Sequence, residues 1–179
     1  MTSIRQSVAI VGHAIVSADG HIAAADGRTP RALHNAKDWA RFQAALDAAA
    51  LVVLGRLGHE RHPNPGRRRL VVTHGVDTLD TADPLAIRWN PAGMAFGTAL
   101  SRLGLAHGTI AVTGGRTVFD LFLPLFTRFE LVTVAGVTLP DGIPCFTAGP
   151  PWEILPAADL RLAATTPLDP GITLTIWTR

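Results

Sequence analysis

The stretch IAVTGGRTVFDLFLPLF, Ile110 to Phe126, decides how the rest of the chain is read. Its first residues are apolar and β-friendly, Gly114 and Gly115 follow at once, and a helix-like apolar pattern comes next. Two glycines and an arginine therefore stand where a strand hands over to a helix. Glycines keep side chains out of the way and a helix N-terminus offers free N–H groups, so one reading sets an anion against this turn. The other reading is a tight strand-to-helix turn with no ligand.

Working outward, Val8 to Val16 (VAIVGHAIV) reads as a buried strand closed by the turn residues SADG, and the next dozen residues read as a loop. Asn35 then stands as an N-cap, Asp38 as a first-turn acid, and Trp39, Phe42, Leu46 and Ala49 recur at helical spacing up to about Ala50. LVVLG (51–55), RLVVT (69–73) and PLAIRW (84–89) read as short strands, with a Pro/Gly/Arg-rich loop between the first two. MAFGTALSRLG (94–104) reads as a helix stopping at Gly104 or Gly108, with Met94 and Phe96 in the core or lining a groove, and RFELVTVAGV (128–137) as another strand. Short apolar strands alternating with helices predict an α/β fold whose mostly parallel sheet is covered on both faces. The tail differs: WEILP (152–156), LRLAATT (160–166) and GITLTIWTR (171–179) lie close together without helices between them. In the last, Ile172, Leu174 and Ile176 alternate with Thr173, Thr175 and Trp177, the pattern of a half-buried antiparallel strand.

Composition narrows the function classes. With 179 residues, 47% hydrophobic and 17% charged, the chain fits one globular domain over its whole length. No apolar run approaches the ~20 residues of a membrane span, and MTSIRQSVAI lacks the long apolar core of a leader, so a cytoplasmic protein with no membrane partner is expected. The single Cys145 has no disulfide or metal-cage companion and reads as a buried, inert thiol. Net charge is only +2, but Arg56, Arg61, Arg67, Arg68 and Arg69 face one nearby acid, Glu60. Such a local patch suits a small anionic ligand better than nucleic acid, although GRRRL also reads as a solvated loop. HERH (59–62) is not a helical zinc motif and Pro63 follows it, so no metal site is expected. Ser17 and Ser101 lack the surroundings of a nucleophile elbow.

Four stretches in this order carry a family likeness: AIVSADGHIA (14–23), LVVLGRLGHE (51–60), RLVVTH (69–74) and VTGGRTVFDLFLP (112–124). Together they resemble the dihydrofolate reductase superfamily, and within it the reductase domain of riboflavin biosynthesis, over roughly Val8 to Phe146. The resemblance implies a three-layer dihydrofolate reductase-like fold with a mostly parallel central sheet and an antiparallel C-terminal portion. It implies NADPH as cofactor, with a cis Gly114–Gly115 peptide against the pyrophosphate and nicotinamide side, and the N–H groups of Arg116, Thr117 and Val118 meeting phosphate oxygens. Gly55 and Arg56 match the turn that meets the adenosine phosphate, Thr73 and His74 the end of the next strand, and Ile15 and Ile22 the apolar bed of the nicotinamide.

On the substrate side the resemblance offers Asp38 as the acid that binds and helps protonate a pterin-like ring, although Asp38 also reads as a routine first-turn acid. His34 and Asn35, in RALHN, stand where riboflavin-type relatives hold a ribose phosphate, though capping alone explains Asn35. Asp19 would orient substrate or simply stabilise its turn. The activity implied is a free-standing NADPH-dependent reductase of a small heterocyclic or ribosyl substrate like the aminopyrimidine ribosyl phosphate of the riboflavin pathway. Dihydrofolate reduction and nucleotide binding without turnover are the alternatives. Riboflavin-type relatives are commonly dimers, so a homodimer using the apolar, Thr-rich final strand is expected.

Overall fold

The computed structural model describes residues 8–179. Eleven strands and five α-helices follow the order β1 (Ala9–Ser17), β2 (His21–Ala23), α1 (Ala36–Ala48), β3 (Leu51–Gly55), α2 (Arg56–Arg61), β4 (Arg69–Val72), β5 (Leu79–Asp80), β6 (Ala86–Trp89), α3 (Phe96–Arg102), β7 (Thr109–Val112), α4 (Arg116–Phe122), β8 (Arg128–Val134), β9 (Ile143–Pro144), α5 (Pro151–Ala157), β10 (Arg161–Asp169) and β11 (Ile172–Thr178). Nine strands form one sheet in the order β10-β11-β8-β1-β7-β3-β4-β6-β5, and β2 pairs with β9 apart from it. The six strands from β8 to β6 run parallel, while β5, β10 and β11 are antiparallel to their neighbours.

Period-two alternation divides the interior into two layers. Val53, Ile110, Val112, Val16 and Phe129 face α3, α4 and α5, where Leu100, Val118, Phe119, Phe122 and Leu155 complete the larger core. Val52 and Ala111 face the other way and meet Leu46 and Phe42 of α1 and Ala49 at its C-cap. The larger layer is strongly aromatic, with Phe119, Phe126, Phe129 and Phe146 in mutual contact. Each such ring contributes about 2 kcal/mol by leaving water. Met94 and Phe96 belong to this core, and Cys145 is fully buried within it, where loss of water and the nearby Asp120 push its thiol up.

Several sequence expectations are corrected here. WEILP is not a strand but the body of α5: Pro151 takes the first helical turn, where its missing N–H costs nothing, and Glu153 complements the helix dipole. The loop after LVVLG begins with the six-residue α2, and the segment after SADG contains β2 and a 3₁₀ turn at Arg31–Leu33. The final strand is not an edge: β11 lies between β10 and β8, with Leu174 buried on one face and Trp177 on the other. It therefore has no free edge with which to pair a second copy. Among the described residues, no helix is long and apolar enough to cross a membrane.

Candidate functional site

The topology itself opens a crevice. From β3 the chain passes through α2 to β4, away from β7, whereas from β7 it passes through α4 to β8, beyond β1 on the opposite side. Connections that diverge from two adjacent parallel strands leave a gap at their carboxyl ends, where ligands of open α/β sheets bind. Gly55 ends β3 and Gly114 follows β7 at this gap, and the Gly55 N–H donates to the Gly114 carbonyl at 3.0 Å. The Gly114–Gly115 peptide is cis. Gly114 has φ +89°, and a Cβ there would lie 2.6 Å from the Phe119 ring. At Gly115 the nearest atom to an added Cβ is Ile22 Cδ1 at 3.7 Å, so this exposed glycine faces open space beside an apolar side chain.

The register lines up the other expected residues. Gly12 pairs with Val112, Val53 with Val112, and Gly55 with Val72. β1, β7, β3 and β4 are consecutive neighbours in the sheet; Ile15 lies within β1, and Gly115, Arg56 and Thr73 follow the carboxyl ends of β7, β3 and β4. Arg116 and Thr117 open α4 in exposed positions, and helix geometry leaves their N–H groups without intrahelical partners. Val118 departs from expectation: its N–H donates to the Gly115 carbonyl at 3.0 Å and its side chain is buried, close to the space above Gly55. Arg56 is exposed and pairs with Glu60 at 2.7 Å one turn on, while the Thr73 hydroxyl oxygen accepts from the Gly75 N–H and His74 is exposed.

The expected basic patch does not form. Arg69 opens β4 with Arg67 and Arg68 just before it, at the opposite end of the strand from Thr73, and the three are held by different partners. Arg67 bonds Asp47, Gln43 and Asn64, Arg68 reaches the Leu103 carbonyl, and buried Arg69 reaches the Leu85 carbonyl. Arg61 bonds the Gly27 carbonyl. With the three guanidinium groups tied to different partners, the run does not converge on one ligand. Arg67 and Arg61 instead border a separate open groove of about 520 Å³ with Trp39 and Gln43 of α1.

On the substrate side, α1 runs back along the sheet with Phe42 against His13, ring centroids 5.8 Å apart. One turn towards the start of the helix and two residues along β1 are nearly equal distances, so Asp38 stands at the level of Ile15. Asp38 is buried, and Arg41 Nη2 donates to it at 2.7 Å. Arg41 also pairs with Glu130, which is in register with His13 and accepts from Arg128. Burial alone would raise the Glu130 carboxyl, but His13, Arg41 and Arg128 bring it down to about 2. Sequence reading missed this cluster. Its signals are a histidine and a glutamate inside apolar strands, VAIVGHAIV and RFELV, and an arginine three residues after Asp38.

Asp19 and Asn35 are already committed to the fold. Asp19 accepts from the Ser17 hydroxyl at 2.5 Å and from the Leu139 N–H at 3.0 Å, tying the first turn to a distant loop. Burial works against its charge, yet these bonds, with His21 alongside, lower it to about 2. The Asn35 carbonyl oxygen caps α1 through the Asp38 N–H, and its amide nitrogen donates to Asp169 at 2.6 Å. His34 is exposed just before the cap.

No family model and no curated protein sequence matches the chain. Solved structures do. A riboflavin biosynthesis protein from Shewanella sp. PV-4 superposes with a TM-score of 0.72 at 17% identity, covering 96% of this chain and 98% of that one. Dihydrofolate reductase from Enterococcus faecalis, in complex with NADP(H), gives 0.67 at 19% identity, with 96% of both chains covered. This chain has the dihydrofolate reductase-like fold. A deaminase/reductase from Thermotoga maritima, a diaminohydroxyphosphoribosylaminopyrimidine deaminase joined to a 5-amino-6-(5-phosphoribosylamino)uracil reductase, gives 0.67 at 12% identity over 96% of this chain. This chain spans 56% of that protein's length. Within the dihydrofolate reductase-like fold, the crevice lies where two chain directions part, and the cis glycine pair implied by the resemblance is present.

Proposed function

We propose that the protein is an NADPH-dependent reductase, acting on a small heterocyclic or ribosyl acceptor related to the aminopyrimidine ribosyl phosphate of the riboflavin pathway. One observation supports this reading: Gly55 and Gly114 join across the divergence of the sheet, and exposed Gly115 follows β7 beside the strand ends that carry Arg56 and Thr73. That line of strand ends suits an extended dinucleotide. Gly55, Gly114 and Gly115 would let the pyrophosphate approach the backbone, with the N–H groups of Arg116 and Thr117 as donors. Arg56, Thr73 and His74 would take the phosphate on the adenosine ribose, since a guanidinium, a hydroxyl and an imidazole suit a dianion. Ile15 and Ile22 would lie against the nicotinamide, whose hydride is the chemistry the cofactor supplies when bound.

The chain's own contribution is chiefly positional. Asp38, bound to Arg41, would present a carboxylate to the acceptor as a hydrogen-bond acceptor for ring N–H or amino groups. His34 stands exposed at the mouth of that wall, while Asp19 and Asn35 hold its frame. The test is isothermal titration with NADPH and NADH, followed by NADPH oxidation over a panel of pyrimidine, pterin and carbonyl acceptors. NADPH binding at least tenfold tighter than NADH, with turnover on a pyrimidine, is expected. Turnover only on dihydropterins supports the folate-type alternative, tight binding with no oxidation supports a binding module, and no binding ends the proposal.

A further inference from the structure

Asp38 does not have its arginine to itself. Arg41 Nη2 donates to Asp38 Oδ1 at 2.7 Å, while Nη1 donates to Glu130 Oε2 on β8. Arg128 holds the other oxygen of Glu130, with Nε at 2.8 Å and Nη2 at 2.7 Å from Oε1. Two carboxylates and two guanidinium groups thus alternate in a chain from β8 to α1, with His13 Nδ1 of β1 lying 3.5 Å from Glu130 Oε2. Arg41 meets each carboxylate through a single nitrogen, and its Nε is buried without a partner. Nε and Nη2 lie on one edge of the planar guanidinium, the edge through which an arginine takes a carboxylate by two parallel bonds. That second bond to Asp38 is not made.

We infer that Glu130 is a positioning residue for acceptor binding: by holding Arg41 Nη1 it keeps the guanidinium from closing on Asp38 through both Nε and Nη2, and so leaves the Asp38 carboxylate open to a donor-bearing acceptor. The inference rests on the reading of Asp38 as the residue that faces the acceptor. Asp38 Oδ2 accepts no hydrogen bond among the described residues, and the side chain keeps 12% of its surface accessible, which leaves one oxygen to present. Were Arg41 to close, both oxygens would be taken up and the charge matched face to face, and a ligand's N–H groups would find a weaker acceptor.

Glu130 is itself contested. Arg128 draws on the same carboxylate from the far side, so the outer substitutions act with opposite sign. Removing the charge of Glu130 frees Arg41 to close on Asp38. Removing Arg128 leaves Glu130 with more charge for Arg41 and opens Asp38 further.

NMR titration of the full chain with isocytosine, a pyrimidine whose ring N–H and amino group stand side by side as donors, tests the inference. Glu130→Gln should weaken isocytosine about tenfold, Glu130→Asp should recover part of the loss, and Arg128→Gln should tighten it about twofold. Asp38→Asn should weaken it about tenfold, and adding Glu130→Gln to that variant should change nothing further, because an effect exerted through Asp38 disappears with Asp38. Should Glu130→Gln fail to fold, the opposite sign expected of Arg128→Gln carries the test. NADPH is titrated in parallel: if it does not bind the parent protein the cofactor reading fails, while the isocytosine series still decides the role of Glu130. No binding of isocytosine to the parent, losses that add in the double variant, or weakening by Arg128→Gln overturns the inference.

Discussion

Gly114 and Gly115 are the same residue in unlike surroundings, and substitution separates their roles. Gly114→Ala forces a methyl into the Phe119 ring at a φ that alanine rarely adopts, and it should destabilise the fold by about 1–3 kcal/mol in chemical denaturation. Gly115→Ala meets only Ile22 at 3.7 Å, so its melting curve should stay within ~0.5 kcal/mol of the parent, while NADPH affinity falls at least tenfold. Unchanged affinity would remove the turn from the cofactor site. Arg56 makes a second test at this scale. Its exposed pair with Glu60 contributes little to stability, so Arg56→Ala should leave folding alone and erase most of the preference for NADPH over NADH, measured by titration. Glu60→Gln, which removes the competing carboxylate, should strengthen NADPH binding a few-fold. The glycines and Arg56 were readable in the chain because a turn between strand and helix is written in adjacent residues. The arginine run was misread because charge summed along a sequence ignores which partner each side chain finds, and Arg67, Arg68 and Arg69 are held by Asp47, the Leu103 carbonyl and the Leu85 carbonyl.

At the scale of elements, α1 is the test case. Asn35 acts at both ends of its amide, capping the helix and holding Asp169. Asn35→Ala should therefore cost about 1 kcal/mol for the cap and somewhat more for the lost tie to β10, as read from urea midpoints. Asn35→Asp keeps the cap but sets a second carboxylate against Asp169, and it should recover only part of the loss. The helix itself was visible from its cap and its apolar spacing, and β1, β3, β4, β6, β7 and β8 from short apolar runs between turn residues. WEILP was not, because five residues with three apolar side chains suit either period, and the deciding feature, Pro150 and Pro151 ahead of them, lies outside the run. The cluster of His13, Arg41 and Glu130 was hidden for a related reason. Its members are far apart in the chain, and only the pairing of β1 with β8 brings two of them side by side.

The whole molecule should show an acid limb set by buried carboxylates. Glu130 has its pKa lowered to about 2 in the fold, so its contribution is complete above the ordinary value of 4.5 and is lost as pH falls through that window towards 2. That contribution is on the order of 2 kcal/mol, and Glu130→Gln should flatten the stability curve between pH 4.5 and 2 while leaving a penalty near neutrality, where Arg41 and Arg128 lose their partner. Denaturation series at several pH values measure both. The two layers of the sheet carry a different consequence. One side is held by a broad aromatic interior, the other by Leu46, Val52 and Ala111 with two flanking side chains. Local opening costs least where the least apolar surface is uncovered, so the amides of α1 should exchange with deuterium well before those of β7 and α4. If the proposed sites hold, the wall bearing the glycines stands firm while the wall bearing Asp38 comes and goes, and a dinucleotide would dock on finished ground before the second ligand completes its own pocket on arrival.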